Sequence, residues 1–160
     1  MKVPRGMKRI SQFSLEEVLP HIGKSVHTFW ASVGNARRRY GVRMGDQRMQ
    51  LLGRTQECAC CGIKGAYFWL EHSGCFPPHF NLYARRGQQE VLMTLDHIVP
   101  QSQGGVRTAA NSQLLCIQCN AAKKDDPMTL EELRQRIQQQ AEHAEDRAGT
   151  RVAPARHRRS

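Results

Sequence analysis

Apolar residues along the chain follow two periods, and each period predicts a different kind of element. Runs rich in β-branched and aromatic residues predict strands at 66–72, 79–84, 90–96 and 112–115. Helical spacing predicts helices at 15–21, 25–39, 46–53 and 129–144, together with a helix that begins near Asn120. This mixture of elements indicates an α+β fold.

Local signals support three of these elements. Ser14 is followed three residues later by Glu17, which is the capping-box pattern of a helix start. Thr129 and Glu132 repeat that pattern at the C-terminal helix. Gly87 supplies a permissive turn position between two β-prone runs, which predicts a hairpin over 79–96.

The N-terminal third carries most of the positive charge. The chain has a net charge of +10, and residues 1–54 hold 11 lysine and arginine residues against three acidic ones. A field of this sign suits a polyanion. No stretch approaches the roughly 18 apolar residues of a membrane span. The charge alone fits nucleic acid, an anionic membrane surface or solubility, and together with the motifs described below we expect DNA as the partner and no membrane. Residues 1–13 are expected to be a loose basic leader.

The predicted helix at 25–39 brings both apolar and basic side chains to this arm. Its apolar face would carry Phe29, Trp30 and Val33, and we expect the aromatic pair to pack in the core. At its end, a basic cluster could grip phosphates or could be a solvated surface: Arg37, Arg38 and Arg39.

Four of the six cysteines form two C-x2-C units, which are Cys58 with Cys61 and Cys116 with Cys119. Two such turns complete a tetrahedral site for Zn²⁺, and four sulfur ligands leave no open position, so the zinc would be structural. Cys60 and Cys75 are left over. A redox role for a C-x-x-C pair would need a neighbouring βαβ unit, which the pattern does not predict.

Between the two cysteine pairs lie residues that suit phosphodiester hydrolysis. Asp96 and His97 end a predicted strand, and neighbouring strand residues point in opposite directions. Asn111 returns on a loop and could accept the imidazole N–H. Asn120 could present a second oxygen ligand beside the aspartate, as Mg²⁺ prefers.

At these residues the sequence resembles the HNH endonuclease family. The run DHIVP, GG, N and LLC-x2-CN-x2-K, within about residues 55–125, looks like the cysteine-flanked HNH nucleases of phages and bacteria. The resemblance implies a ββα-metal (His-Me finger) core with an inserted hairpin, a structural zinc site and flanking helices. It also implies His97 as general base, oriented by Asn111, and Asp96 and Asn120 as ligands of catalytic Mg²⁺ or Mn²⁺.

The family's final histidine is Asn120 here, and this change favours Mg²⁺ or Mn²⁺ over Zn²⁺ because a carboxamide oxygen is a harder ligand than imidazole. Lys123 and Lys124 are candidates for phosphate contacts, although a solvated helix face explains them equally well. A zinc-stapled nucleic-acid-binding module without catalysis is the main alternative. Cleavage of both strands would imply a homodimer or sequential nicking.

We expect four regions, in a chain that resides in a reducing cytoplasm (that of the host, if the protein is phage-encoded). They are a basic helical arm at 1–54, the zinc-stapled nuclease domain at 55–127, a C-terminal helix at 128–147 and a disordered basic tail at 148–160.

Overall fold

The computed structural model describes residues 8–73 and 75–149 and has a mixed α+β architecture. Its strands are β1 (Lys8–Ser14), β2 (Val26–Val33), β3 (Ala36–Arg43), β4 (Gly65–His72), β5 (His79–Arg86), β6 (Gln89–His97) and β7 (Ser112–Cys116). Its α-helices are α1 (Leu15–Val18), α2 (Gln47–Arg54), α3 (Ile117–Lys123) and α4 (Leu130–Gly149), with 3-10 turns at Leu19–His21 and Gln101–Gln103.

The main sheet has five strands in the order β1-β4-β5-β6-β7, and its neighbouring strands are antiparallel. The predicted hairpin at 79–96 is confirmed as β5 and β6, joined by a two-residue turn in which Gly87 has φ +59°. β6 changes partner along its length. Its first half pairs with β5 up to Leu92, and its second half pairs with β7 from Met93 onward.

This change of partner opens a gap beside the first half of β5, and a half-buried arginine lies there. Arg48 projects from α2, donates to Asn81 Oδ1 at 2.6 Å and also donates to the carbonyl oxygen of Phe80. Burial lowers the pKa of the Arg48 guanidinium, and the nearby carboxylates of Asp46 and Glu71 oppose that shift. Arg48 therefore satisfies strand groups that sheet pairing leaves open.

One face of the sheet carries the aromatic core. Phe80 makes edge-to-face contacts with Phe13, Phe29 and Phe68, with ring centroids 4.7 to 5.7 Å apart. Phe29 belongs to β2, so this cluster fastens the β2–β3 hairpin to the sheet. Leu133 of α4 is also fully buried in the core.

The helix predicted at 25–39 is wrong, because residues 26–43 form the β2–β3 hairpin. Gly34, at the first position of its two-residue turn, has φ +59°, which a type II′ turn requires of that position. Strand alternation sends Phe29 inward and leaves Trp30 52% exposed, so the expected aromatic pair on one core face does not form.

The loose leader predicted at 1–13 is also wrong where the structure describes it. Lys8–Ser14 is the edge strand β1, paired with β4. Residues 1–7 lie outside the described part of the chain. The capping box at Ser14 is confirmed, and it starts α1 where β1 ends. The arm is therefore mostly β-structure, since its helical content is α1, one 3-10 turn and α2.

The second capping box is confirmed as well. Thr129 Oγ1 accepts from the Glu132 amide, and the Glu132 carboxylate accepts from the Thr129 amide. α4 continues to Gly149, beyond the end predicted at 144. Of the tail predicted from 148, residues 150–160 lie outside the described residues. Among the helices at 8–73 and 75–149, none is long and apolar enough to cross a membrane.

The other face of β4 and β5 carries a buried polar cluster. The carboxylate of Glu71, 0% exposed, accepts from Arg9 and from the Tyr83 hydroxyl. Arg9 also donates to Glu90 at 2.7 Å. Burial alone would raise the pKa of Glu90, but hydrogen bonds from tyrosine, tryptophan and arginine donors lower it to about 2. β1 is therefore held to the sheet by charge as well as by backbone pairing.

We expect Arg48→Ala to lower the free energy of unfolding by about 3 kcal/mol, because it leaves buried acceptors on Asn81 and Phe80 unpaired. Urea unfolding measures this change. Arg54→Ala is the matched control on the same helix: Arg54 is exposed, and its loss should cost at most about 0.5 kcal/mol. Equal stabilities for the two variants would contradict the role given to Arg48.

Candidate functional site

Four sulfur atoms converge where β7 passes into α3. The Sγ atoms of Cys58, Cys61, Cys116 and Cys119 all lie within 4.8 Å of one another. Cys61 Sγ and Cys116 Sγ are 3.8 Å apart. That separation equals the edge of a tetrahedron with metal–sulfur bonds of about 2.3 Å. The two cysteine pairs chosen from the sequence are thus brought together with the spacing of a tetrahedral metal site.

The loop that carries the first pair is shaped by its own backbone. Gly62 has φ +72° and donates its amide to the Cys58 carbonyl, which closes the turn. The Cys116 amide donates to Cys58 Sγ at 3.3 Å, which links the two C-x2-C turns. Arg134 of α4 donates to the carbonyl of Cys60 at 3.0 Å. Cys60 is buried beside the tetrad but is not one of its four members, and Cys75 is exposed.

Proton sharing among the sulfurs supports a bound cation. Hydrogen bonds from Cys116 and Cys119 lower the pKa of Cys58, whereas the bonds that Cys119 makes with Cys116 and Cys58 raise the pKa of Cys119. Buried thiolates cannot all carry charge unless a proton or a metal neutralises them. The tetrad could therefore hold a structural metal ion in place of these protons.

The second constellation lies where α3 crosses the end of β6. Asp96 is only 8% exposed, and its Oδ2 accepts from Gln113 Nε2 at 2.9 Å. The ammonium of Lys123, 1% exposed, lies 3.3 Å from the same carboxylate and donates to the His97 carbonyl at 2.9 Å. Lys123 thus ties α3 to the last two residues of β6.

Asn120 reaches the same strand from one turn earlier in α3. Its Nδ2 donates to Thr94 Oγ1 at 3.0 Å, and Thr94 lies two residues before Asp96 on the same face of β6. Because the amide nitrogen is used in this bond, the carbonyl oxygen is the atom left for a cation. Asp96 and Asn120 therefore lie on facing surfaces of β6 and α3.

His97 is the last residue of β6 and contacts the turn that follows. Its Nε2 lies 3.3 Å from Gln101 Nε2. The Gln101 side chain is within hydrogen-bond distance of the imidazole, so this contact holds the ring against the turn. Gln101 was not singled out from the sequence, where a glutamine in a loop carries no signal of its own.

The paired glycines shape this turn. Gly104 ends the 3-10 turn at Gln101–Gln103 with φ +85°. A Cβ on Gly105 would lie 1.8 Å from the Val99 carbonyl oxygen, so no larger residue fits there. The turn therefore needs glycine at both positions to hold Gln101 beside His97.

Asn111 does not contact the imidazole in the way that the sequence suggested. Its Oδ1 accepts from the Val99 amide at 2.8 Å, and its Nδ2 donates to the carbonyls of Val99 and Val106. The side chain thus fastens the two ends of the loop after His97. Asn111 therefore acts on His97 through the loop backbone, because its side-chain oxygen and nitrogen are bonded to backbone groups and not to the imidazole.

The prediction that Lys123 could contact phosphate is wrong. The Lys123 side chain is only 1% exposed and is paired with Asp96, so it cannot be a surface contact for phosphate. Lys124 is exposed. The three arginines of the basic cluster are exposed, but they lie on β3 of the hairpin instead of at a helix end. Sequence spacing did not reveal this burial because adjacent lysines look alike in a helix.

Comparison with known proteins gives one match. Residues 84–126 match the family model described as HNH endonuclease. No curated protein and no solved structure matches the chain. The matched segment includes most of the β5–β6 hairpin, β7 and α3, and with them all four positions that the sequence reading proposed as catalytic.

An HNH domain suggests nuclease activity in general and a nucleic acid as substrate. The match also confirms the family resemblance drawn from the DHIVP, GG and CN-x2-K residues. Residues 84–126 are therefore the part of the chain that is similar to the HNH endonuclease family.

Proposed function

We propose that the protein is a metal-dependent DNA endonuclease that hydrolyses phosphodiester bonds. The observation that carries the proposal is the pairing of α3 with the end of β6, inside the segment that matches the HNH model. Asn120 is bonded to Thr94 and Lys123 to Asp96, with His97 as the next residue of the strand. We also propose residues 55–127 as the nuclease unit. The exposed Lys124 remains a candidate phosphate contact.

The donor set fits Mg²⁺ or Mn²⁺. Asp96 offers a carboxylate and Asn120 a carbonyl oxygen, which are hard ligands, and two protein ligands leave positions for water and phosphate. A divalent cation bound there would stabilise the negative charge on the phosphate and on the leaving oxygen.

His97 is proposed as the general base. The Gln101 contact holds the ring in place, and Nε2 would take a proton from water once a water molecule replaces the Gln101 side chain at that nitrogen. Gln101 is a positioning residue in this scheme. Asn111 contributes by fixing the loop that carries Gln101.

Charge balance couples the cation to the substrate. The Lys123 ammonium already neutralises Asp96, so a divalent cation brings two uncompensated charges into a nearly buried site. A phosphodiester supplies the missing negative charge. Tight metal binding is therefore expected only when DNA is present.

We expect His97→Ala to lower the rate of plasmid nicking at least a hundredfold while DNA affinity stays within twofold of the wild type, because the base is lost but the binding surface remains. Supercoiled plasmid with Mg²⁺, and with EDTA as the metal-free arm, measures nicking.

The matched control is His143→Ala, which removes an exposed histidine of α4 and should leave the nicking rate unchanged. Equal nicking by the two variants would remove His97 from the proposal. A wild-type protein that binds plasmid but never nicks it would point to a binding module without catalysis.

We propose Zn²⁺ as the ion of the cysteine tetrad, because four thiolates at tetrahedral spacing favour it over magnesium. We expect about one zinc per chain in reduced wild-type protein, and Cys119→Ser to lose the zinc and several degrees of thermal stability. Atomic emission and thermal unfolding measure the two effects.

Cys75→Ser is the control for that experiment, since Cys75 is exposed and lies outside the tetrad. It should keep both the zinc and the melting temperature. Full zinc content in Cys119→Ser, or none in the wild type, would refute the structural zinc site.

We expect Mn²⁺ to bind His97→Ala protein at least tenfold more tightly when duplex DNA is present, for the charge reason given above. Electron paramagnetic resonance of free Mn²⁺ measures the affinity without any cleavage step. Lys123→Met should tighten Mn²⁺ binding without DNA, whereas Lys64→Met, which removes an exposed charge, should not. Equal Mn²⁺ affinity with and without DNA would show that the coupling is absent.

A further inference from the structure

The β2–β3 hairpin has one face whose residues are all exposed. Its strands pair from Val26 opposite Arg43 to Val33 opposite Ala36, so alternate residues share a face. Phe29, Ala31 and Val42 are buried against the sheet. The outer face is formed by Val26, Thr28, Trp30, Ser32, Arg37, Arg39, Gly41 and Arg43, and we call it the ribbon face.

Trp30 lies at the centre of the ribbon face and organises its arginines. The Arg37 guanidinium lies 5.5 Å from the indole ring centroid and that of Arg39 lies 5.7 Å from it. Arg39 is the direct cross-strand partner of Trp30, and Arg37 is the next residue of β3 on that face. Cation–π contact holds both guanidinium groups above the ribbon before any ligand arrives. Such pre-organisation reduces the entropy lost on binding.

The charge of the hairpin is uniform. Residues 26–43 include four arginines and no aspartate or glutamate. Three of the arginines lie on the ribbon face, and all of them are exposed. A core-packing role does not account for an exposed tryptophan between cations, whereas a polyanion does.

We infer that the ribbon face lies in the major groove of duplex DNA. A groove about 12 Å wide admits a two-stranded β-ribbon. Arg37 and Arg39 are two residues apart, which is about 6.7 Å along a strand. Two base-pair steps of about 3.4 Å cover the same length, so both arginines reach the duplex in register. At the base of the ribbon face, Gly41 borders a cavity lined also by Phe76 and His79, so the contact with DNA is assigned to the half that carries Trp30.

This inference deepens the proposed nuclease function, on which it rests for its substrate class. It assigns duplex recognition to an element outside the HNH segment at 84–126. The neutral segment around the catalytic residues then needs little affinity of its own, since residues 55–127 carry six basic and six acidic residues.

The first test measures binding to a 20-base-pair duplex by fluorescence anisotropy, without added divalent metal and in the His97→Ala background, so that cleavage plays no part. We expect Arg37→Ala/Arg39→Ala to raise Kd at least tenfold at 0.1 M salt. The slope of log K against log salt should fall by about 2, because two phosphate-proximal cations are lost.

The matched control, Lys64→Ala/Arg147→Ala, removes two exposed cations elsewhere and should change Kd less than twofold. Circular dichroism checks that both double variants are folded. Equal Kd values for the two double variants would overturn the inference and leave the nuclease proposal standing, because plasmid nicking tests that separately.

The second test uses Trp30 itself as the probe. Saturating duplex should quench its fluorescence and protect it from iodide, and Trp30→Phe should abolish the DNA-dependent change while Trp69 continues to emit. Methyl green, which occupies the major groove, should compete, and a minor-groove ligand should not. Stronger binding and quenching with a single-stranded 20-mer, or competition only by the minor-groove ligand, would overturn the groove assignment.

Discussion

The cysteine tetrad is the constraint on which the geometry of the site depends. Cys116 ends β7 and is the N-cap residue of α3, and Cys119 lies in the first turn of that helix. Their partners come from a loop more than fifty residues earlier in the chain. Joining these two segments fixes where α3 begins and in which direction it runs. Since Asn120 follows Cys119 directly, the same junction directs it at β6.

Hydrogen bonds from α4 secure that junction. Arg134 donates to the carbonyl of Cys60 in the first C-x2-C turn. Arg136 donates to the carbonyls of Ala122 and Lys123 at the end of α3. Free carbonyls at a helix C-terminus are stabilised by cations. The C-terminal helix therefore supports the site from outside the HNH segment, although none of its residues meets the proposed ligands.

Much of the site could be predicted because its residues are close in sequence or fixed in spacing. The two C-x2-C pairs and the capping boxes are local patterns whose chemistry dictates their geometry. The β2–β3 hairpin could also have been found, since Val33-Gly34-Asn35-Ala36 places a Gly-Asn turn between runs of β-branched and aromatic residues. The spacing of Phe29, Trp30 and Val33 also fits the helical period, because a segment this short can satisfy both the helical and the strand period.

The buried charges could not be predicted, because burial of a charge depends on long-range partners. Arg48 is half-buried where β5 and β6 separate, and that separation follows from β6 changing partner, which no local pattern encodes. Lys123 and Lys124 are adjacent and chemically alike, yet one pairs with Asp96 in the interior and the other is exposed. The α3 rotation that decides between them is set by Cys119, four residues before Lys123. The position of the cysteine tetrad thus places Lys123, and not Lys124, against Asp96. In the proposed mechanism, this ion pair is what opposes cation binding at the strand end until DNA arrives.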